Sequence, residues 1–372
     1  MRKSLVVALT SVVFLYSLAF GQQPVPIEKL NQIRYAVNKF MADNGIPGAS
    51  VAVVENGEYE WSGGFGMADV ENFSRATAQT LYRLASISKP ITATAAMQLW
   101  QRGKLDLDAP VQKYCPAFPQ KEAPITTRLT LGHLAGIRHY KTDGQDDPEG
   151  GNTRHFDDPI ESGLNFFKND PLIDKPRHAF HYSTQGFTLV GCVIEGASGE
   201  KYLDFVRENV LAPAGMTHTV ADNRFEILPY RTRFYSKEKT ATGAKLVNAD
   251  FLDASYKIPG GGWLSSAEDM AKYEVAMLND RLVTHATRDA MWTRQKTSDG
   301  KETDYGLGWG VGNDLGVTDV GHGGGQQGTS TFIMMVPERR AGVVVLMNLD
   351  GGDASALAKE LMKILLANPK SN

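Results

Sequence analysis

Hydrophobic positions set the outline of the chain. Ile27, Leu30, Ile33, Val37, Phe40 and Met41 recur at helical spacing and stop at Asn44-Gly45, which predicts an amphipathic first helix. Residues 49–55 are β-rich, Asn56-Gly57 is a two-residue hairpin signal, and residues 59–66 return as a second strand. The C-terminal end mirrors this. Residues 318–323 read as a strand running into a glycine-rich turn. Residues 329–336 and 342–348 are β-branched runs joined by Pro337-Glu338-Arg339-Arg340, and residues 354–366 form a last helix with Asp353 as its N-cap. Strands at both ends with hairpin-length connections predict one antiparallel sheet assembled from the two ends of the chain and covered by the terminal helices. From about residue 86 to 280, helical periodicity is broken by proline- and glycine-rich loops, including a polar loop at 141–160. The pattern is α+β, an α/β sandwich with an inserted, mostly helical region, and the cleft between the two parts is the expected place for a site.

Chemistry enters at Ser86-Ile87-Ser88-Lys89, which opens the apolar run 91–100. A hydroxyl and an amine three residues apart share a helical face, their Cβ atoms about 5–6 Å apart. Ser-x-x-Lys also occurs at Ser198 to Lys201, Ser236 to Lys239 and Ser298 to Lys301, so the spacing alone decides nothing. Burial does. A lysine acts as a base near neutrality only when desolvation pulls its pKa down by roughly 3 units from about 10.4, and a solvated loop lysine does not reach that. Ser198-Gly199 reads as a helix end, Ser236 to Lys239 as a charged turn and Ser298-Asp299-Gly300 as a loop, which leaves Ser86. Two further segments carry candidate groups. His181-Tyr182-Ser183-Thr184 opens another helix-like run, and a tyrosine beside a lysine shares proton traffic with it. Gly321-His322-Gly323-Gly324-Gly325 ends a strand where backbone N–H groups can face a developing oxyanion.

Composition narrows the field. The chain has 372 residues, 42% hydrophobic and 22% charged, with a net charge of −3, which gives no electrostatic case for nucleic acid or an anionic membrane surface. Arg2-Lys3, the apolar stretch 5–20 and the small residues Ala19 and Gly21 read as a Sec-type signal peptide over residues 1–21, cleaved before Gln22, with an uncleaved membrane anchor as the alternative. Export to the periplasm or the extracellular space follows. Cys115 and Cys192 are read as unpaired, Cys192 as a thiol buried in the apolar stretch 189–194. His178 and His181 lack a metal-site frame, and no metal or other cofactor is expected. His322-Gly323-Gly324-Gly325 imitates a lipase oxyanion motif, but no Gly-x-Ser-x-Gly elbow exists in the chain.

The order Ser-x-x-Lys, Tyr-x-x, His-x-Gly resembles the serine β-lactamase and penicillin-binding protein superfamily, in its class C and D,D-carboxypeptidase-like branch. Gly136-Ile137-Arg138-His139-Tyr140, Phe167-Lys168-Asn169-Asp170-Pro171-Leu172, Tyr182-Ser183-Thr184 and Arg233-Phe234-Tyr235 are similar to the serine β-lactamase-like proteins of animal mitochondria. The likeness spans about residues 27 to 350. It implies a five-stranded antiparallel sheet within one hydrolase domain at 22–370, its α/β part at about 25–85 and 255–368 and its helical part at about 86–254. It implies Ser86 as nucleophile, Lys89 as base or proton relay, Tyr182 as their partner, and an oxyanion hole from the backbone N–H groups of Ser86 and Gly325. Thr184, His322, Gly323 and Gly324 would meet substrate. Thr184 stands where many members have asparagine and His322 where many have lysine, which argues against efficient antibiotic hydrolysis. The expected function is a secreted serine hydrolase cleaving peptide amide bonds, with weak β-lactam turnover. A carboxylesterase is the alternative on the same fold, and a non-catalytic peptidoglycan- or peptide-binding protein the alternative of another class. The expected partners are peptide, peptidoglycan-like or small ester substrates, with no nucleic acid and no stable membrane insertion after cleavage.

Overall fold

Apolar spacing at residues 27–44 folds as helix α1 (Ile27–Asn44), which buries Ile33, Ala36, Val37 and Met41 and stops where Gly45 turns left-handed at φ 53°. This computed structural model describes residues 25–141, 149–241 and 243–367; the signal peptide expected at 1–21 and residues 142–148 of the polar loop lie outside them. Strands β1 (Gly48–Glu55) and β2 (Glu58–Asp69) follow. They are joined by Asn56 and Gly57 at φ 56° and 78°, the two positive dihedrals that a tight hairpin turn demands. A two-residue strand β3 (Ser74–Arg75) pairs with β2. The helical part contributes α2 (Ser88–Gln101) and α3 (Thr184–Ser198), and α4 (Ala267–Leu278) follows it, packed on the sheet. The chain then returns through β4 (Gly310–Gly312), β5 (Asp319–Gln326), β6 (Thr329–Val336) and β7 (Ala341–Met347) to α5 (Ala354–Leu366), where the Asp353 carboxylate caps the Ala356 N–H.

The sheet order is β3-β2-β1-β7-β6-β5-β4, with antiparallel neighbours throughout. Five long strands match the expected sheet; β3 and β4 extend its edges by two- and three-residue strands. The two ends of the chain meet at its centre, where Ala49 pairs with Met347 and Val54 with Gly342. Side chains alternate between two cores because successive strand residues point to opposite faces. Ala49, Val51, Val53, Val343, Val345 and Met347 join α1 and α5 in one cluster. Ala52, Val54, Val344, Leu346, Ile333 and Met335 join the other, which runs into α2, α3 and α4. Each such valine, leucine, isoleucine or methionine side chain contributes about 1.5–3 kcal/mol when taken fully from water. Helix α2 is buried from Ser88 to Leu99 on every face, as a helix at the centre of a domain must be.

Two expectations need correction. Within the inserted region, whose long elements are helices, residues 235–240 and 243–248 form an exposed two-stranded hairpin, and Trp263–Ser265 pairs with Tyr82–Arg83 and Val220–Ala221. The segment Ser236 to Lys239 therefore lies on a strand rather than in a charged turn. The cysteines are not free thiols, since Cys115 and Cys192 form a disulfide with Cα atoms 5.5 Å apart. The cause lies one turn along α3. A Cβ at Gly196 would fall 1.7 Å from the Tyr114 carbonyl oxygen, so glycine lets the helix lie against residues 114–115, and Cys192, four residues earlier, faces Cys115.

Two stability predictions follow from this packing. The disulfide closes a loop with a sequence separation of 77, so replacing both cysteines by serine should lower the unfolding free energy by about 2–4 kcal/mol in urea titrations. An unchanged midpoint would show that the bridge carries no stability. Glu274 on α4 is fully buried against the sheet, with neither carboxyl oxygen hydrogen-bonded to another side chain or in ordinary geometry to the backbone. Burial raises its pKa well above the usual range, only partly offset by the Met334 N–H. The folded state thus holds a proton that the unfolded chain releases above about pH 4.3, and stability falls as pH rises from there toward the folded pKa, by up to about 1.4 kcal/mol per pH unit. Glu274→Gln should flatten that slope in melts across pH 4–8, and a slope unchanged in the variant would contradict the assignment.

Candidate active site

Ser86 sits in a 3-10 turn (Ala85–Ile87) directly before α2, half-buried in a run that is otherwise buried. The turn is held from both sides. Ala85 adopts a left-handed φ of 47°, unfavourable for a residue with a Cβ, and β5 crosses close behind it. A Cβ at Gly324 would lie 2.1 Å from the Leu84 carbonyl oxygen, so only glycine lets the strand approach this turn.

Lys89 is fully buried. Its Nζ contacts Ser86 Oγ at 3.0 Å, Thr184 Oγ1 at 3.1 Å and the Gly260 carbonyl oxygen at 2.8 Å. Burial, and then the charge of nearby Lys257, push its pKa well below the ordinary lysine value. A neutral amine has two N–H donors and one lone pair. The Gly260 carbonyl can only accept, and Thr184 can take the second N–H, so the lone pair is left for the Ser86 hydroxyl. The lysines of the other three Ser-x-x-Lys segments, Lys201, Lys239 and Lys301, are exposed.

Tyr182 reaches the same point from the segment before α3, its ring 4.7 Å from Lys89 Nζ and its phenol near enough to the Ser86 hydroxyl to feel it electrostatically. Burial raises its pKa far above that of free tyrosine, so the phenol is a proton donor and not a tyrosinate. Three histidine rings surround it: His133 at 4.4 Å, His139 at 5.6 Å and His322 at 6.3 Å between centroids. All three are held neutral chiefly by burial, His139 lowered to about 4 and His322 to about 3.

A cleft of about 910 Å³ opens onto Ser86, between the sheet and the helical part. Ser86, Thr184, Gly260, Gly261 and Gly325 line it, together with His139, Tyr140, Tyr256 and Lys257. Ser86 and Gly325, expected to supply the oxyanion donors, therefore lie on one cavity wall, and Gly325 leaves it open, with no atom within 4 Å of a Cβ built there. Thr184 meets both the cleft and Lys89. His322, Gly323 and Gly324 are not among the lining residues. His322 is buried behind them, its Nε2 2.8 Å from the Tyr305 hydroxyl and its Nδ1 2.7 Å from the Gly323 carbonyl oxygen. The glycine of Gly324 serves the approach to Leu84, not to a ligand. These three therefore shape the strand behind the site rather than the substrate surface.

The residue reading missed Lys257, Tyr140 and Tyr256. Lys257 is 3% exposed, yet it lines the cleft with its Nζ 5.2 Å from the Tyr140 ring and 5.4 Å from the Tyr256 ring. Its only signal in the sequence is its place just before Gly260-Gly261-Gly262. His178 and His181 both contact the Asp174 carboxylate, at 2.8 Å and 2.7 Å. Among the described residues no group of three or more His, Cys, Asp or Glu side chains is arranged to hold a metal ion.

Comparison with known proteins agrees with this geometry. The family model described as Beta-lactamase matches residues 33–367. The mitochondrial serine beta-lactamase-like protein LACTB of Homo sapiens is 33% identical over an alignment of 395 positions, gaps included, covering 82% of this chain and 71% of that protein. The octameric penicillin-binding protein homologue from Pyrococcus abyssi superposes with a TM-score of 0.76 at 27% identity, covering 91% of this chain and 77% of the other. A D-stereospecific amidohydrolase from Streptomyces sp. gives a TM-score of 0.72 at 26% identity, over 88% of this chain and 96% of the other. With its fold, its buried serine–lysine pair and these likenesses in agreement, the chain belongs to the β-lactamase family of serine hydrolases.

Proposed function

We propose that the protein is an exported serine hydrolase that cleaves amide bonds of peptide-like substrates through an acyl-enzyme on Ser86. The observation that carries this reading is the contact of the fully buried Lys89 amine with Ser86 Oγ, burial lowering the lysine pKa well below its ordinary value and raising that of the Tyr182 phenol beside it. Lys89 takes the Ser86 proton as Oγ bonds to the carbonyl carbon, and the backbone N–H groups of Ser86 and Gly325 receive the negative oxygen. Collapse of the tetrahedral intermediate breaks the C–N bond. The departing amine takes a proton from Tyr182, which is replenished from the Lys89 ammonium. Water then hydrolyses the ester of Ser86.

An amine cannot leave as an anion, whereas a good ester leaving group can, so a neutral acid beside the nucleophile favours amides over esters. The amidohydrolase among the similar structures points the same way. Export is supported by the apolar N-terminal stretch behind Arg2-Lys3 and by the Cys115–Cys192 disulfide, which forms in oxidising compartments. No helix among the described residues is long and apolar enough to cross a membrane.

A fluorophosphonate probe should add to one serine of the folded protein, mapped to Ser86 by mass spectrometry and lost in Ser86→Ala. A folded protein that takes no label, or takes it equally in the variant, contradicts the reading. Side-by-side turnover of a D-Ala-D-Ala peptide, a peptide amide library, nitrocefin and p-nitrophenyl butyrate should give its highest kcat/KM on an amide, and preference for the butyrate would favour the esterase. The pH profile provides an independent check. Activity should rise with pH as Lys89 loses its proton, and Lys257→Met, which removes the charge that helps to lower the Lys89 pKa, should move this acid limb to higher pH. A limb that stays in place, or moves to lower pH, would show that Lys257 does not act on Lys89.

A further inference from the structure

His139 is fixed in one orientation and one protonation state on the cleft wall. Its Nδ1 lies 3.1 Å from the Thr184 backbone N–H, which can only donate, so Nδ1 accepts. Burial first, with the charges of Lys257 and Arg138, keeps the ring neutral at ordinary pH. A neutral imidazole that accepts at Nδ1 carries its proton on Nε2. That N–H is not among the buried, unpartnered atoms and makes no hydrogen bond within the described residues, while the ring lines the cleft.

The support around the ring is rigid. Arg138 Nη1 donates to the His139 carbonyl oxygen at 2.8 Å, and Ser183 Oγ donates to the Arg138 carbonyl oxygen at 2.7 Å. The Tyr140 ring lies against the imidazole at 4.2 Å and the Tyr182 ring meets it edge-on at 5.6 Å. From His139 the path to the nucleophile is short: Thr184, which takes the imidazole at its N–H, places its Oγ1 3.1 Å from Lys89 Nζ, itself 3.0 Å from Ser86 Oγ. A donor with its orientation prepaid by the fold loses little entropy when a ligand arrives.

We propose that the His139 Nε2–H is a substrate-binding donor that selects acyl groups bearing an amide carbonyl a few bonds from the scissile carbon, as in an N-acylated amino acid, over plain alkyl acyl groups. This rests on the assignment of Ser86 as the nucleophile and names the acyl side of its substrate. The Thr184 hydroxyl is engaged by Lys89, and the imidazole beside it takes the recognition role.

The test compares two activated esters of equal chain length, N-acetylglycine p-nitrophenyl ester and p-nitrophenyl pentanoate, which differ in the acyl amide. Because both have the same leaving group, the ratio of their kcat/KM values isolates recognition of the amide. His139→Phe should lower that ratio at least about tenfold. His139→Asn should restore most of it, because the asparagine amide can accept from Thr184 N–H at one end and donate at the other. Circular dichroism melts of both variants report folding. A ratio within about twofold of wild type in His139→Phe, even with both rates reduced, would overturn the proposal and leave His139 as a support for Thr184. Turnover of the pentanoate ester by wild type, with label on Ser86, tests the acyl-enzyme separately, so a failure of one reading is not mistaken for a failure of the other.

Discussion

The buried ammonium of Lys89 is the constraint around which the site is arranged. Removing such a charge from water costs several kcal/mol, and the low-cost response is to give up the proton. The surroundings take that response to a specific end. One carbonyl, from Gly260, and one hydroxyl, from Thr184, satisfy the amine, and its remaining valence is aimed at Ser86. The same low-dielectric pocket holds Tyr182 protonated and His133, His139 and His322 neutral. A single physical cause, desolvation, therefore lowers the lysine pKa and raises that of the tyrosine, as the proposed base and acid require, although the two values in water stand close together.

Position comes from the sheet and from α2. The central pairing of β1 with β7 ties the two ends of the chain together, and β5, two strands over, runs behind the Ser86 turn at a distance only Gly324 allows. The left-handed Ala85 is kept in an unfavourable backbone conformation by that packing, which is where the stability of the cores on either side of the sheet is used locally. The groups assigned to the reaction come from three separate segments: the turn leading into the first residues of α2, the residues just before α3, and the end of β5. Rigid elements meeting at one cleft give the precision that a flexible loop would not.

Much of this was legible in the sequence where a residue pattern is forced by burial on one side. The α1 spacing, the Asn56-Gly57 hairpin, the apolar β6 and β7 runs and the Asp353 cap all reappear in place. Ser86 and Lys89 were separable from three look-alikes because an apolar run follows them, and Tyr182 because it opens a second helix. What escaped had no periodic signature. The exposed hairpin at 235–248 carries mixed polar residues on both faces, so it imitates a loop. The disulfide depended on Gly196 letting α3 meet residues 114–115, a contact across the fold. His322, expected from the resemblance to meet substrate, instead has its ring held by the Tyr305 hydroxyl and the Gly323 carbonyl. Lys257 and His139 matter through what stands beside them in space, and neither belongs to the three motifs.

The central claim is that Lys89 is a neutral amine at working pH. Nitrogen-15 NMR of lysine side chains, with the Lys89 resonance assigned by its absence in Lys89→Met, measures this directly. One Nζ is predicted to titrate far below the others, with the amine form dominant near neutrality. A Lys89 Nζ that titrates with the exposed lysines near their ordinary value of about 10.4 would contradict the account.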